Sequence, residues 1–159
     1  MIPQGVRVAT ASAVLLLAGC SADPVAVSAP DVTGAEATTC AAFVADLPEQ
    51  LAGQERRTIE PAGASAAAWG DPPIMVTCGG EMPPEFTDDS GCEEVAGIGW
   101  FVPDEQLRDQ SVTATITSIG LEPVISVQFP AERRGDSARV LTDIAGPIKE
   151  HLTATSSCV

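Results

Sequence analysis

The sequence predicts an α+β fold in two layers, a mostly antiparallel sheet of four to five strands packed by N- and C-terminal helices. Helical spacing opens the domain, at Phe43, Val44, Leu47 and Leu51, and closes it, at Leu141, Ile144, Ala145, Ile148 and Leu152. Between them lie short β-type runs separated by Gly- and Pro-rich turns, the clearest being residues 111–119 and 123–129. Strands that alternate imply one covered sheet face, and two amphipathic helices are available to cover it.

Taken in order, Thr38 or Thr39 can cap a helix opening at Cys40, with Pro48 as a kink and Gly53 as the stop. A short extended piece at 56–60 leads to an alanine-rich helical turn at 63–69. A β-type run at 74–78, ending in Cys78, is closed by Gly79-Gly80. Residues 81–92 carry Pro83-Pro84 and four acids and read as loop. A second strand spans 94–102 with Ile98, Trp100 and Val102 on one face; Gly97 and Gly99 suggest a bulge or a close backbone approach. Residues 111–119 and 123–129 form a hairpin through Gly120-Leu121-Glu122, with Val112, Ala114 and Ile116 on one side and Ile125, Val127 and Phe129 inward. Asp136 or Ser137 caps the last helix, which Pro147 should bend.

The chain opens with MIPQGVR and an apolar run at 8–19, too short for a spanning helix of ~20 residues and suited to a secretory signal. Its end, Leu17-Ala18-Gly19-Cys20, resembles the lipobox of bacterial lipoproteins, in which the cysteine thiol receives a diacylglyceryl group and a peptidase cuts before it. The resemblance makes residues 1–19 a lipoprotein signal peptide and Cys20 the lipidated N-terminus. Two acyl chains of the palmitate type hold firmly, since each buried methylene contributes ~0.8 kcal/mol. The expected address is the extracytoplasmic face of the cell membrane. Residues 21–37, SADPVAVSAPDVTGAEA, have no apolar periodicity and with Cys20 read as a flexible tether, leaving one domain at 38–159.

The formal charge is −14, and loss of Arg7 with the signal makes it one unit more negative. Such acidity excludes a general electrostatic footprint for nucleic acid. It also opposes contact with anionic headgroups, which leaves the lipid as the attachment.

Beyond Cys20 the chain has Cys40, Cys78, Cys92 and Cys158, an even count that in an exported domain reads as two disulfides. Three connectivities are open; local geometry suggests Cys78–Cys92 across the loop between neighbouring strands, with Cys40–Cys158 tying the helices. No CxxC spacing occurs and His151 is the only histidine, so no metal is expected. Asp88, Asp89, Glu93 and Glu94 crowd one segment without calcium-loop spacing and read as a solvated loop. His151, near a helix C-terminus, is simply well placed as a cation. No G-x-S-x-G, phosphate loop or dinucleotide fingerprint is present, so no catalytic residue and no cofactor are assigned. Trp69-Gly70-Asp71-Pro72 is a candidate groove or turn, Asp71 offering a polar contact and Trp69 a stacking face, with Trp100 as a further candidate.

Two blocks, AAAWGDPPIMVTCGG at 66–80 and EVAGIGWF at 94–101, resemble an uncharacterised family of actinobacterial envelope proteins, domain of unknown function 3515. Trp69, Gly70, Asp71, Pro72, Ile74, Cys78 and Gly79 match its first block. Val95, Gly97 and Trp100 match its second, with Ile98 where Val is usual. The likeness extends over CAAFVADLP, the hairpin and the last helix; Leu121 stands where many relatives carry a basic residue. The resemblance implies Cys40–Cys78 as a self-sufficient pair and Cys92–Cys158 as an added one, and it supplies no activity. Together these readings describe a membrane-anchored envelope lipoprotein that binds an envelope protein or small envelope component without enzymatic activity. The alternative is a small exported hydrolase using carboxylates such as Asp71, Glu93 or Glu94.

Overall fold

The computed structural model describes residues 23–87, 89–156 and 158. The signal segment and Cys20 lie outside the described residues. The stretch expected to be a tether is ordered from Asp23 onward. Strand β1 (Val25–Ala26) pairs in parallel with a strand at Ile59–Glu60. Val25 N donates to Thr58 O at 2.8 Å, Val27 N to Glu60 O at 2.9 Å, and Arg57 Nη2 to Asp23 O at 2.7 Å. The period-two spacing of Val25 and Val27, half-buried in the structure, is a strand signal too short to stand out among Ala, Pro and Ser. Helix α1 (Gly34–Asp46) begins within the expected tether, with Thr33 rather than Thr38 or Thr39 at its cap position. It buries Cys40 and Phe43.

Pro48 ends this helix instead of kinking it. The chain turns into β2 (Gln50–Leu51), β3 (Gln54–Arg57) and β4 (Ile59–Glu60). Leu51, expected on the helix, is buried on a strand. Ala52 and Gly53 both hold positive φ, as a two-residue hairpin turn of the I′ kind demands. The expected alanine-rich helical turn is instead β5 (Ala66–Trp69), all four residues buried and paired with β6 (Ile74–Cys78). Helix propensity is a weak prior, and the two neighbouring strands override it. The expected single strand at 94–102 is a hairpin, β7 (Glu93–Val95) and β8 (Ile98–Phe101), turning at Ala96-Gly97, again both at positive φ. A short helix α2 (Asp104–Arg108) precedes β9 (Ala114–Ile119). Leu121 and Glu122, expected in a turn, form β10 (Leu121–Glu122) ahead of β11 (Ile125–Phe129). A 3-10 turn at Ala131–Asp136 leads into α3 (Ser137–Asp143), α4 (Ala145–His151) and β12 (Thr153–Ala154). The last helix is broken at Ile144 rather than bent: Pro147 has no N–H for the carbonyl of Asp143, and its ring crowds that carbonyl.

The main sheet has eight strands, not four to five, in the order β2-β3-β5-β6-β11-β9-β8-β7, every neighbouring pair antiparallel. The difference comes from short strands that carry too few residues to show a period of two. Trp69, Val76, Val127, Ile116 and Trp100 from the sheet share one core with Phe43, Leu47, Val140, Ile144 and Ile148 from the helical layer. Neighbouring residues on each strand face the other way. There Ala66, Thr77, Ser126, Thr117 and Phe101 form one cross-strand row.

Two disulfides tie the layers and the tail: Cys40 to Cys78, joining α1 to β6, and Cys92 to Cys158, with Cα separations of 5.4 and 5.8 Å. This is the pairing implied by the family resemblance, not the Cys78–Cys92 and Cys40–Cys158 arrangement suggested by local geometry. Gly99 shows why no side chain stands there. A Cβ would lie 2.7 Å from Cys158 Sγ and 3.0 Å from Cys92 Sγ.

Candidate functional site

The β7–β8 end of the sheet is the place where polar groups and open space coincide. Alternation along β8 sends Trp100 into the helix-facing core and Phe101 to the opposite side, where Phe86 packs against it edge-on with ring centroids 5.3 Å apart. Pro103 then starts α2, which brings Asp104, Glu105 and Leu107 beside the loop at 85–91. The result is an outer cleft of about 690 Å³ that contains Glu85, Asp89, Glu93, Asp104 and Glu105 in its walls. A second, smaller cavity of about 290 Å³ lies toward α3, walled by Val95, Ala114, Ile116, Phe129 and Leu141. Glu93, Trp100, Val102 and Leu107 line both.

Trp100 is 1% exposed, and its Nε1 has no hydrogen-bond partner among the described residues. Buried donors are nearly always paired, so an unpaired one is unusual. The segment over the cavities is held from below. Arg134 donates to the carbonyls of Asp109 at 2.9 Å and Val112 at 3.0 Å, and also to that of Gln106. Gln106 Oε1 accepts from Thr115 N at 2.7 Å. Asp109 accepts from Ser111 Oγ at 2.6 Å and Ser111 N at 2.9 Å. These two bonds, the side-chain one foremost, and the Arg134 charge hold its carboxyl below the usual aspartate range. Leu107, 53% exposed, stands at the rim as one of the large apolar side chains left in solvent.

The other sequence candidates fall elsewhere. Trp69 is fully buried and is no stacking face for a ligand: its Nε1 donates to Pro48 O at 2.9 Å, and Arg56 lies over the ring, 5.5 Å from its centroid. Gly70, at φ +78°, and Asp71-Pro72 form the reversal between β5 and β6. Trp69 and Trp100 sit on strands four places apart, roughly 19 Å at the usual strand spacing. They do not share a groove. The same separation divides the Asp71 turn, next to β6, from Glu93 and Glu94 on β7, so these carboxylates do not converge. His151 Nε2 lies 3.3 Å from Asp46 Oδ2, joining the ends of α4 and α1, with Glu150 near enough that all three ligand atoms fall within 4.8 Å. Asp46 and Glu150 are exposed, and the arrangement serves as a polar contact between the ends of the two helices.

Sequence reasoning missed Leu107, Arg134 and both cavities. The acidic segment at 85–93 was visible, but nothing local says that it faces Trp100.

An α+β domain with a two-part cleft at one end of its sheet is the class that fold and site define. The chain belongs to the family described as Protein of unknown function (DUF3515), whose model matches residues 5–157. No curated protein and no solved structure matches the chain. Among the described residues no helix is long and apolar enough to cross a membrane.

Proposed function

We propose that the protein is an envelope lipoprotein, anchored through a diacylglyceryl group on Cys20, and that it acts as a binding module whose ligand enters the cleft beside Trp100. Two adjoining cavities that share Glu93, Trp100, Val102 and Leu107 in their walls carry the binding reading. An apolar recess with a few polar groups converging on it is the usual form of a small-ligand site. The lipobox-like Leu17-Ala18-Gly19-Cys20 supports the anchor. Asp23, whose carbonyl accepts from Arg57 Nη2, is three positions from Cys20 in the sequence. Three chain steps span at most about 11 Å, which supports a body held close to the membrane rather than on a long leash. Its acidity then favours an orientation rather than adhesion to anionic lipid.

Two measurements test this. Cys20→Ala should lose acyl labelling and leave the membrane fraction; a processed Cys20→Ala protein that still partitions fully with membranes sinks the anchor. The neutral reporter 1-aminoanthracene should show saturable fluorescence enhancement with the processed protein. Ala138→Trp, which places an indole in the wall of the smaller cavity, should abolish it. Absence of saturable enhancement with wild type removes the binding reading.

A further inference from the structure

We infer that the junction of α1 and α4 is a binding site for a divalent transition metal of the zinc type, held by His151 Nε2 and by one carboxylate oxygen each of Asp46 and Glu150. The site stands apart from the cleft beside Trp100 and does not depend on it. Asp46 is the last residue of α1 and His151 the last of α4, and 105 positions of chain separate them. Helix packing brings the two ends together, since Cys40 and Phe43 of α1 share the core with Ile148 of α4. His151 Nε2 then lies 3.3 Å from Asp46 Oδ2, and Glu150 completes a triangle in which all ligand atoms are within 4.8 Å of one another.

Distance is the first argument. Zinc binds imidazole nitrogen and carboxylate oxygen at about 2.0–2.2 Å, so two ligands of a tetrahedral site stand about 3.4 Å apart. The His151–Asp46 spacing is already close to that edge. Glu150 is exposed, and rotation of its side chain closes the remaining edges without movement of the backbone. Three protein ligands leave a fourth position to water.

Charge is the second. Two carboxylates face one imidazole, so at most one positive charge stands against two negative ones. Among the described residues no Lys or Arg reaches ion-pair distance of Asp46 or Glu150. Arg56, which reaches the end of α1, is engaged by the carbonyls of Val44 and Leu47. Lys149 extends toward the β7–β8 turn, its Nζ 3.5 Å from where a Cβ would stand at Gly97. A divalent cation supplies the missing charge. The donor set selects which one: imidazole with carboxylates suits zinc and its first-row neighbours, whereas magnesium and calcium take oxygen ligands. A lone histidine without CxxC spacing gives no such signal in the sequence, because only the fold brings Asp46 to it.

His151 is the only histidine, so its ring signals report on this site alone. In ¹H–¹³C spectra of the processed, EDTA-treated protein, zinc chloride should shift them saturably, with one metal bound per chain. The isosteric substitutions Asp46→Asn and Glu150→Gln should each weaken binding at least ~10-fold, the scale on which even the outer partners of a metal site act. Glu81→Gln/Glu85→Gln, in the acidic loop after β6, should leave the affinity unchanged. Magnesium chloride at the same concentration should not move the His151 signals. A wild-type His151 that zinc chloride leaves in place overturns the inference. Equal zinc affinity in the wild type, Asp46→Asn and Glu150→Gln means an adventitious ion only, on a single imidazole, and overturns it too.

Discussion

Two regions of the sheet, around Trp69 and around Trp100, are built from the same parts and finished differently. On the β5–β6 hairpin, a buried tryptophan, Trp69, has its indole bonded to Pro48 O and its ring under Arg56, and the fully buried Cys40–Cys78 link leaves the far end of β6. Arg56 also donates to the carbonyls of Val44 at 2.7 Å and Leu47 at 2.8 Å, groups left open by the end of α1. The Trp69 indole N–H and the Arg56 guanidinium both find partners within the fold. At the β7–β8 end, the equally buried Trp100 has no partner for its indole among the described residues, cavities adjoin it, and the Cys92–Cys158 link holds the segment after α4 rather than a helix.

The largest test of this contrast is the two disulfides. Removing Cys40–Cys78 by double alanine substitution should cost about 4 kcal/mol, because the link closes a loop across 38 positions and joins two core elements. Denaturant midpoints report it. Cys92–Cys158 spans 66 positions, and loop length alone assigns it as much. Since the segment it ties after α4 adds only the two-residue β12 to the fold, the loss should instead be confined to that segment. The amides of Thr155 and Ser156, which donate to Gly120 O, should exchange faster while core amides keep their protection. Equal losses of global stability for the two pairs break the comparison.

A smaller effect separates the tryptophans. Trp69→Phe removes the donor from Pro48 O and the ring that Arg56 covers, so it should cost about 1–3 kcal/mol beyond the lost volume. Trp100→Phe loses similar volume but deletes a donor that has no partner, and its extra cost should be under about 1 kcal/mol. Thermal or denaturant unfolding of the two variants side by side sharpens the contrast, and equal penalties erase it.

The smallest effect concerns pH. The Asp109 carboxyl is held below its ordinary value by Ser111 and by the Arg134 charge. A depressed folded-state pKa means that its contribution is fully present above the unfolded value of about 3.9 and is lost as pH falls through the lower folded one. Amides in the segment at 106–112 should therefore lose protection in acid before the β5–β6 hairpin does. Asp109→Asn should flatten that local pH dependence. A wild-type segment whose protection is unchanged through this acid range contradicts the assignment.

The sequence by itself determined whatever depends on residues close together in the chain. The α+β class, the 114–129 hairpin with Ile125, Val127 and Phe129 inward, and the apolar stripe of the last helix all rest on periods of 2 or 3.6 repeated several times. The Trp69–Gly79 block was equally legible, and it marks the family. What the tertiary structure decided depends on residues brought together from afar. Ala66, Ala67 and Ala68 carry no β signal, yet they are a strand because Arg57 and Met75 run on either side of Ala68. Val25 and Val27 are ordered because Thr58 and Glu60 offer their carbonyls. Trp69 and Trp100 look alike in sequence, each a large aromatic followed or preceded by glycine. Which of them finds a hydrogen-bond partner turns on whether a carbonyl such as that of Pro48, distant in sequence, arrives within reach, and only packing decides that.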